Sequence, residues 1–538
     1  MLLFQRTADR TAGERIMGTY VNPGPAMFQE ALRSEIYIDK SDLISYTNNV
    51  LGTKQKYVCV CRPRRFGKSM AADMLSAYYD RTAGTREVFK DMKVGGTDTF
   101  DTYVNQFDVI KINMQEFLSR TSSIEELLLR LRKLVLRELL SLYPDVDYYD
   151  RNDFLECFND IFNAGQHRFV VIIDEWDCIF REYPHDEEAQ RKYLDFLRDW
   201  LKDKAYIALA YMTGILPIKK YGTHSALNMF TEYSMENPGA LADAVGFSDL
   251  EVRQLCDRYG MDFSECQYWY NGYYFRTCGH VYNPNSIVRA MLSHTFDDYW
   301  NQTETYEALK ICIDMNYDGL RDGILRLMAG DHMQISTKSF QNDMTSFTCA
   351  DDVLTLLVHL GYLGYDFNTK EAFVPNHEIM LEFVTATTAG KPWTEVINSV
   401  TRSAELLRAT WNMDAVTVAK LVENAHFETS HLQYNDENAL SYTISLAYYS
   451  ARDYYTVIRE LPSGKGFADL AFIPRQRYAD KPAMLIELKW DQSAETAVKQ
   501  IADKEYPKGL EEYKDHMLLV GINYDKTTKK HTCMINKA

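Results

Sequence analysis

The first half of the chain alternates short apolar runs with stretches of helical periodicity. The apolar runs are rich in β-branched and aromatic residues and lie at 57–61, 107–113, 169–173 and 205–213. Helical stretches follow the first two, through Tyr79 and over 123–142, and the second opens with a Ser-x-x-Glu capping box. Strands that are apolar throughout and alternate with helices are typical of a parallel sheet covered on both faces. We therefore predict an α/β fold.

The middle of the chain, from about 238 to 375, has mainly helical periodicity. One helix opens with the capping box Ser248-Asp-Leu-Glu251. The very apolar stretch 352–360 precedes two short β-rich runs around a turn, which is the outline of a winged helix. A helix that reads DNA displays Arg, Lys, Asn or Gln, whereas this one offers only Thr355 and His359. A packing module is therefore favoured over a DNA-reading one.

Mixed α/β periodicity returns after Pro392. A helix over 437–450 leads to β-rich runs at 455–460, 464–472 and 483–489, and a helix follows at 493–506. This pattern predicts a second α/β domain at the C-terminal end.

A sequence with the order of a phosphate-binding loop lies between the first strand and its helix. Arg62-Pro-Arg-Arg-Phe-Gly-Lys-Ser69 leads directly into the helical stretch. In such loops, backbone amides and the helix N-terminus hold phosphate oxygens, a lysine reaches the terminal phosphates and a hydroxyl ligates magnesium. We therefore predict ATP and Mg²⁺ here, with contacts from Arg64, Arg65, Phe66, Gly67, Lys68 and Ser69.

One position departs from the usual loop. Arg62 replaces its first glycine and Pro63 follows, so the chain must enter the loop differently. Arg64 and Arg65 are either cations that face phosphate or ordinary solvent-exposed charges.

Two carboxylates end the apolar run that begins at Phe169. Asp174 is expected to bind magnesium, and Glu175 to polarise the water that attacks the γ-phosphate. The next β-rich run ends at Thr213, where a sensor residue would meet the γ-phosphate. An extra strand between the lysine and aspartate strands, with Glu beside Asp, is the layout of AAA-like P-loop ATPases.

Other polar and aromatic positions in this half are assigned by their surroundings. The pair Asp39-Lys40 interrupts apolar residues just before the first strand, and we predict it near the nucleotide. Arg181 and Arg198 are candidates for an arginine finger. The tyrosine-rich stretch 268–275 favours aromatic packing between the ATPase core and a lid over a platform that stacks nucleic-acid bases.

The C-terminal β-rich runs carry the pattern of a metal-dependent nuclease. Asp469 lies in one run, and Glu487 and Lys489 share a face of another, since strand side chains alternate. Phosphodiester cleavage needs two carboxylates that anchor a divalent cation, and a lysine that positions water or stabilises charge. Such charges also occur on exposed strands, but Glu487 ends an apolar run, which indicates a central strand. We predict a Mg²⁺ site, with Mn²⁺ as an alternative, held by Asp469 and Glu487.

The net charge and the cysteine content indicate which partners and which cellular location to expect. The net charge of −17 argues against non-specific wrapping by nucleic acid and leaves room for a local basic groove. The ten cysteines lack disulfide spacing, and Cys59 and Cys61 are expected in the core rather than at a metal. Without an apolar leader or a membrane-length apolar run, we expect a cytoplasmic protein that does not contact a membrane.

Together the motifs resemble a family of bacterial AAA-ATPase-like proteins that carry a PD-(D/E)XK nuclease domain at the C-terminus. In that family arginine is usual at the position of Arg62. Further segments resemble its signatures, at 37–43, 270–275, 281–286, 361–363 and 374–378. The resemblance implies an ATPase joined to a nuclease fold.

The resemblance also implies two further residues of the nuclease site. Gln500 matches the glutamine that lies beside the metal in the RecB-like branch, and Glu437 matches the acidic residue of the first helix. Ala468 replaces the usual proline, a common variant, and Phe467 stands where arginine is usual for contact with phosphate.

The predicted organisation has four parts: an AAA-like ATPase domain at 1–235, a helical lid at 236–300, a winged-helix-like module at 301–390 and a PD-(D/E)XK nuclease-like domain at 391–538. These parts predict an ATPase that controls a nuclease acting on nucleic acid, with DNA expected. The alternative is a nucleotide-gated interaction protein with an inactive nuclease fold, which the acidic net charge favours. A homo-oligomer and a separate protein partner both stay open.

Overall fold

The computed structural model describes residues 18–218, 220–221, 224–225, 227–300, 305–315, 317, 319–342, 344–388, 394–428, 437–463, 466–503, 510, 513 and 515–538. The chain forms two compact units: the first comprises 1–300 and 334–378, and the second comprises 301–333 and 379–538. The stretch 301–390 is thus divided between the units, and the organisation in four domains stays a prediction.

The elements up to residue 300 are α1 (Ala26–Leu32), α2 (Asp42–Val50), β1 (Tyr57–Cys61), α3 (Lys68–Tyr79), α4 (Arg86–Lys90), α5 (Phe100–Tyr103), β2 (Asp108–Asn113), α6 (Met114–Leu118), α7 (Ile124–Leu142), α8 (Phe154–Gly165), β3 (Phe169–Asp174), α9 (Cys178–Glu182), α10 (Glu187–Leu201), β4 (Ile207–Gly214), β5 (Lys220–Tyr221), β6 (His224–Ser225), β7 (Thr231–Tyr233), β8 (Phe247–Ser248), α11 (Asp249–Tyr259), α12 (Phe263–Tyr270), β9 (Tyr273–Phe275), β10 (Gly279–Tyr282) and α13 (Pro284–Ser293). Those that follow are α14 (Thr305–Asp314), α15 (Leu320–Met328), β11 (Met333–Gln334), α16 (Ala350–Leu360), β12 (Gly364–Asp366), β13 (Glu371–Phe373), α17 (His377–Thr388), α18 (Thr394–Trp411), α19 (Ala415–Glu428), α20 (Glu437–Ala447), β14 (Tyr455–Ser463), β15 (Gly466–Pro474), β16 (Ala483–Trp490), α21 (Ala494–Asp503), β17 (Met517–Asp525) and β18 (Lys530–Lys537).

A five-stranded parallel sheet forms the centre of the first unit. Its strand order is β2-β3-β4-β1-β7. Asp174 at the end of β3 pairs with Thr213 on β4, and Thr213 pairs with Val60 on β1. The carboxyl ends of β3, β4 and β1 therefore lie side by side at one end of the sheet, where open α/β sheets bind ligands.

Helices cover both faces of this sheet. Cys59 and Cys61 pack in the core that contains α7, α8 and α10, whereas Val58 and Val60 pack in the core that contains α3. Because neither face meets solvent at the centre of the sheet, β1, β3 and β4 are buried along their whole length, as the sequence predicts. The two cysteines lie in the core as predicted, and all ten cysteines are free.

The middle of the chain contains the predicted capped helix and the helix–hairpin outline. Ser248 and Glu251 form a capping box at the start of α11, and β12 and β13 form an antiparallel hairpin after α16. Thr355 and His359 are each only 1% exposed. Since α16 displays neither side chain, their burial agrees with a packing module, which stays a prediction.

The second unit is built on a mixed sheet with the order β14-β15-β16-β17-β18, in which only β16 and β17 are parallel. Helices α18, α19 and α20 pack on one face, and α21 packs on the other. Along β16, Leu485 faces α21 while Ile486 faces the opposite core, so Glu487 and Lys489 lie on the side of α21.

Among the described residues, none of the helices is both long and apolar enough to cross a membrane.

Candidate functional sites

The loop between β1 and α3 is shaped by two residues with left-handed backbone, Arg65 (φ 65°) and Gly67 (φ 88°). A Cβ at residue 67 would meet no atom within 4 Å, so conformation rather than space favours glycine there. The Nζ of Lys68 donates to the carbonyl of Pro63 at 2.8 Å, and Ser69 is exposed on the first turn of α3. The loop thus wraps around its lysine beside the first turn of a helix, an arrangement suited to phosphate.

A buried carboxylate connects this loop to β3. Asp174 is 2% exposed and accepts a hydrogen bond from the backbone N–H of Glu175 at 3.0 Å. Burial raises the pKa of Asp174 to about 6, although the side chain of Ser69 acts to lower it. Burial lowers the pKa of Lys68, although the negative charges of Glu175 and Asp174 act to raise it. A divalent cation held by Ser69 and Asp174 would stabilise the ionised carboxylate that burial disfavours.

The predicted water-polarising residue is held by an arginine of the same chain. Glu175 has φ 54°, and its carboxylate pairs with the guanidinium of Arg181 at 2.5 Å. Arg181 is half-buried on α9 and lies 3.5 Å from the carboxylate of Asp177. The other finger candidate, Arg198, is half-buried on α10 and pairs with Asp195. Neither contact assigns the finger, which stays a prediction.

Thr213 lies where the ends of β3 and β4 are tied together. Its carbonyl accepts the N–H of Trp176 at 3.0 Å. Asp177 accepts the N–H groups of Ile215 and Leu216 at 3.0 and 2.9 Å. Thr213 is fully buried, and within the described chain its hydroxyl has no hydrogen-bond partner. The hydroxyl can therefore make a hydrogen bond to a ligand. Its role as a sensor stays a prediction.

Sequence reasoning missed a third arginine beside the loop. Burial lowers the pKa of Arg65, and the nearby charges of Arg289 and Arg64 lower it further. Arg289 lies on α13, whose start is signalled by the cap at Asn283 and by Pro284. The sequence shows a cation on the second turn of a helix, but only folding brings it beside residues 64 and 65. The positive charges of Arg64 and Arg289 near Arg65 suit a polyphosphate.

The polar pair before β1 makes contacts within the first unit. Asp39 accepts the N–H groups of Ser41 and Lys93, both at 2.8 Å. The Nζ of Lys40 donates to both carboxylate oxygens of Glu251, at 2.9 and 2.7 Å. These bonds fasten the segment to α11 and to residue 93, and a place for the pair near the nucleotide stays a prediction.

A second cluster of polar residues lies on β15 and β16. Leu470 pairs with Ile486, so Asp469 and Glu487 are next to each other on adjacent strands. The carboxylate of Asp469 accepts the backbone N–H of Leu488 at 2.6 Å. The structure thus brings the two predicted metal ligands to one place.

The lysine and glutamine of the predicted set contact the same carboxylate. The Nζ of Lys489 donates to Oε1 of Glu487 at 3.1 Å, and Nε2 of Gln500 donates to that oxygen as well. Glu487 is 2% exposed and Lys489 is 8% exposed. Taking such a pair out of water is costly, so its presence on a central strand indicates a role beyond packing.

A glycine lets the helix that carries Gln500 approach the sheet. Gly521 on β17 pairs with Glu487 on β16. A Cβ at residue 521 would lie 2.4 Å from the carbonyl oxygen of Ala494 and 2.9 Å from Val498 on α21. The close contact between α21 and β17 therefore sets the distance of α21 from the sheet, and this distance allows Gln500 to reach Glu487.

The donor set fits a hard divalent cation. Asp469, Glu487 and the amide of Gln500 supply oxygen atoms, which Mg²⁺ and Mn²⁺ prefer. Within the described ranges, no group of three or more His, Cys, Asp and Glu side chains could hold a metal ion. Glu437 is the first residue of α20, and its side chain lies outside the described residues. Two carboxylates are thus the acidic ligands that the described part of this site offers.

Comparison with protein families confirms the resemblance carried by the motifs. Residues 26–223 match the AAA-ATPase-like family, described as a predicted AAA-ATPase. Residues 436–533 match the PD-(D/E)XK nuclease superfamily. The chain therefore combines an AAA-ATPase-like domain with a PD-(D/E)XK domain, and the predicted α/β fold class is confirmed.

One curated relative is similar over part of its length. It is an uncharacterized protein in the vnfD 5′ region of Azotobacter chroococcum mcd 1, 27% identical over 249 residues. The match covers 45% of this chain and 46% of the relative, so the chain spans about half the length of that protein.

Solved structures similar to the chain include proteins of Pyrococcus abyssi and Aeropyrum pernix. The Walker-type ATPase PABY2304 of Pyrococcus abyssi is 13% identical, covers 64% of this chain and 94% of its own, and has a TM-score of 0.33. The ORC2 protein of Aeropyrum pernix in complexes with ADPNP and ADP is 11% identical, covers 66% and 98%, and has a TM-score of 0.27. At these scores, the two proteins imply nothing about the ligands of this chain.

Proposed function

We propose that the first unit binds and hydrolyses ATP with Mg²⁺ and that the second unit carries a Mg²⁺-dependent nuclease for DNA whose activity responds to ATP. The observation that supports it most strongly is that Asp469, Glu487, Lys489 and Gln500, separated in the sequence, come together on β15, β16 and α21, in a chain that also carries an AAA-ATPase-like domain.

At the nucleotide site, the loop amides and Lys68 would hold the phosphates, and Ser69 and Asp174 would hold Mg²⁺. The ion neutralises charge on the β- and γ-phosphates when bound. Glu175 is the base for the attacking water, and its carboxylate must leave Arg181 to reach that water. Arg64, Arg65 and Arg289 add positive charge around the phosphates.

At the nuclease site, Asp469 and Glu487 would hold the cation, which polarises the phosphate and acidifies a water. Lys489 is close enough to Glu487 to orient that water or to stabilise charge on the phosphorane. Gln500 fixes the Glu487 carboxylate through its amide.

Nucleotide binding is tested by replacing Lys68. A hydrogen bond from a charged donor contributes about 1.5–3 kcal/mol, so Lys68→Ala is expected to raise the Kd for Mg·ATP about ten- to hundred-fold in calorimetric titration. Glu175→Gln should bind ATP as the wild type does and lose phosphate release. Lys56→Ala is the matched control, because Lys56 also donates to backbone carbonyls, those of Lys204 and Ile207. An unchanged Kd in Lys68→Ala would contradict the assignment of Lys68 to phosphate binding.

Nuclease activity is tested on supercoiled plasmid, linear duplex and single-stranded RNA, with Mg²⁺ or Mn²⁺ and with or without ATP. Asp469→Asn and Glu487→Gln should each reduce cleavage of DNA by about a hundred-fold or more, as expected when a metal ligand is lost. Asp480→Asn serves as a control, since Asp480 is an exposed acid of the same unit that pairs with Lys481. Cleavage that is equal with and without ATP, and in Glu175→Gln, would contradict control by ATP.

The second candidate function is a nucleotide-gated binding protein with an inactive nuclease fold. One observation favours it: Lys489 and Gln500 both bind Oε1 of Glu487, so that oxygen is already shared by two donors. Metal-independent binding of DNA without cleavage, unchanged in Glu487→Gln, would support this function over the nuclease.

A further inference from the structure

Arg62 occupies the loop position where glycine is usual, yet its backbone does not need glycine. The left-handed residues of the loop are Arg65 and Gly67, and Arg62 lies outside that region. Its side chain is 0% exposed, turned away from the surface on which Ser69 is exposed. The arginine therefore enters the loop without backbone strain, and its guanidinium makes its contacts in the interior.

The buried guanidinium binds backbone carbonyls of three segments. Nη1 donates to Cys61 at 2.9 Å and to Tyr233 at 2.8 Å, and Nη2 donates to Leu241 at 2.9 Å. The group also lies 5.1 Å from the ring of Phe275, over its face. Burial lowers the pKa of Arg62 to about 10, so it stays charged near neutral pH. Hydrogen bonds from a charged donor are stronger than neutral ones, and one planar group here joins the ends of β1 and β7 to the turn at Leu241.

Two other loop residues contact the same region. The carbonyl of Phe66 accepts the N–H of Gly246 at 2.9 Å, and its ring meets that of Tyr273 edge-on at 5.5 Å. Pro63 packs against Gly361, where a Cβ would lie 2.7 Å from the proline ring. We call residues 233–246, β9 and Gly361 the buttress. It receives Arg62, Pro63 and Phe66 from the inner side of the loop.

We infer that Arg62 is a positioning residue that fixes the phosphate loop against the buttress, so that the loop holds its phosphate-binding shape before nucleotide arrives. This inference rests on the proposed ATP binding and deepens it, because it places control of nucleotide affinity in residues that do not touch phosphate. A loop ordered in advance binds more tightly, since less conformational freedom is lost on binding. The two signature segments around β9 and Gly361 thereby acquire a role in the ATPase rather than in DNA contact.

Three substitutions separate this role from simple replacement of a loop glycine. Arg62→Met keeps the bulk without donors, Arg62→Lys keeps the charge without the fork, and Arg62→Gly restores the residue usual in other loops. Each is expected to raise the Kd for Mg·ATP at least ten-fold. Hydrogen exchange of the ligand-free protein should rise at 62–69 and 233–246 and stay unchanged in α7. Arg62→Lys is the mildest change and decides the question if the other two fail to fold.

The control is Phe158→Leu, a core change among Phe169, Trp200 and Tyr206. It should lower the melting temperature without changing the Kd, which is also what a merely structural Arg62 would do. Wild-type Kd and exchange in the Arg62 variants would overturn the inference while leaving ATP binding intact. A wild type that binds no ATP, with exchange that still responds to Arg62, would overturn the proposed function and support the loop role.

Discussion

At the residue scale, the ends of the central strands carry groups whose ionisation depends on burial. Asp174 has its pKa raised to about 6, and Lys68 beside it has a lowered pKa, in both cases because burial disfavours the charged form. The charged forms are recovered when phosphate and a cation supply the opposite charges. The side chain of Ser69, next to Lys68 in the chain, acts to lower the pKa of Asp174.

The raised pKa of Asp174 predicts how Mg²⁺ binding depends on pH. Because Mg²⁺ must replace the proton, we expect the affinity for Mg·ATP to fall below pH 6, by about ten-fold per pH unit, after correction for protonation of the nucleotide. The contribution of this group to the stability of the ligand-free protein has the opposite sign: it is present below the ordinary pKa of an aspartate and is lost as pH rises through about 6. Titration of Mg²⁺ between pH 5 and 8 measures the effect.

Asp174→Asn is the control for that titration, and its remaining affinity should not change over the same range. The buried Glu378 has its pKa raised to about 8 by burial. A midpoint near pH 8 that survives in Asp174→Asn would therefore contradict the assignment to Asp174.

At the scale of elements, the distance between α21 and the mixed sheet determines which side chains meet at the candidate nuclease site. Period two on β16 directs Glu487 and Lys489 to the side of α21, but the contact with Gln500 depends on how closely α21 packs. That approach is possible because residue 521, paired with Glu487, has no side chain.

Gly521→Ala is expected to push α21 away from β17 and to separate Gln500 from Glu487. Cleavage of DNA should fall about ten-fold or more, and the overpacked site should lose about 1–3 kcal/mol of unfolding free energy. Ile522→Val is the matched control: Ile522 packs in the core on the opposite face, and this change costs about 0.5–1.5 kcal/mol. Equal cleavage by both variants, measured on linear duplex with Mg²⁺, would show that the distance between α21 and the sheet does not affect cleavage.

At the scale of the whole molecule, each unit has its own hydrophobic core. The parallel sheet of the first unit is buried between two clusters, and the mixed sheet of the second between two others. Separate cores are expected to unfold in separate transitions, and a ligand stabilises only the unit that binds it.

Calorimetry should therefore show two thermal transitions, of which Mg·ATP raises one. At a free concentration of 100 times Kd, the ligand contributes about 2.7 kcal/mol to that unit. At the same ATP concentration, Lys68→Ala should reduce this contribution to about 0.4–1.4 kcal/mol, whereas Ile522→Val should lower only the transition that ATP leaves in place. A single transition that responds to both changes would mean that the units unfold together.

The sequence by itself determined the features that depend on local periodicity and spacing. Continuous apolar runs at 57–61 and 169–173 specify buried parallel strands, the Gly-Lys-Ser triplet specifies a loop before a helix, and Glu487-x-Lys489 specifies one face of a strand. Each follows from contacts within a few residues, since backbone geometry repeats at 2 or 3.6 residues. These signals were enough to predict the fold class, and they made the loop residues and Asp469, Glu487 and Lys489 candidates for the two sites.

Only the tertiary structure decided which distant groups meet. The insertion of β4 between β1 and β3, the place of Arg289 beside Arg65, and the pairing of Glu175 with Arg181 have no local signal. Arg62 illustrates the reason. In the sequence it is a missing glycine, but its three carbonyl partners include Tyr233 and Leu241, which lie far along the chain. A buried guanidinium is stable only where folding supplies such partners, so its role follows from long-range packing, which no local pattern encodes.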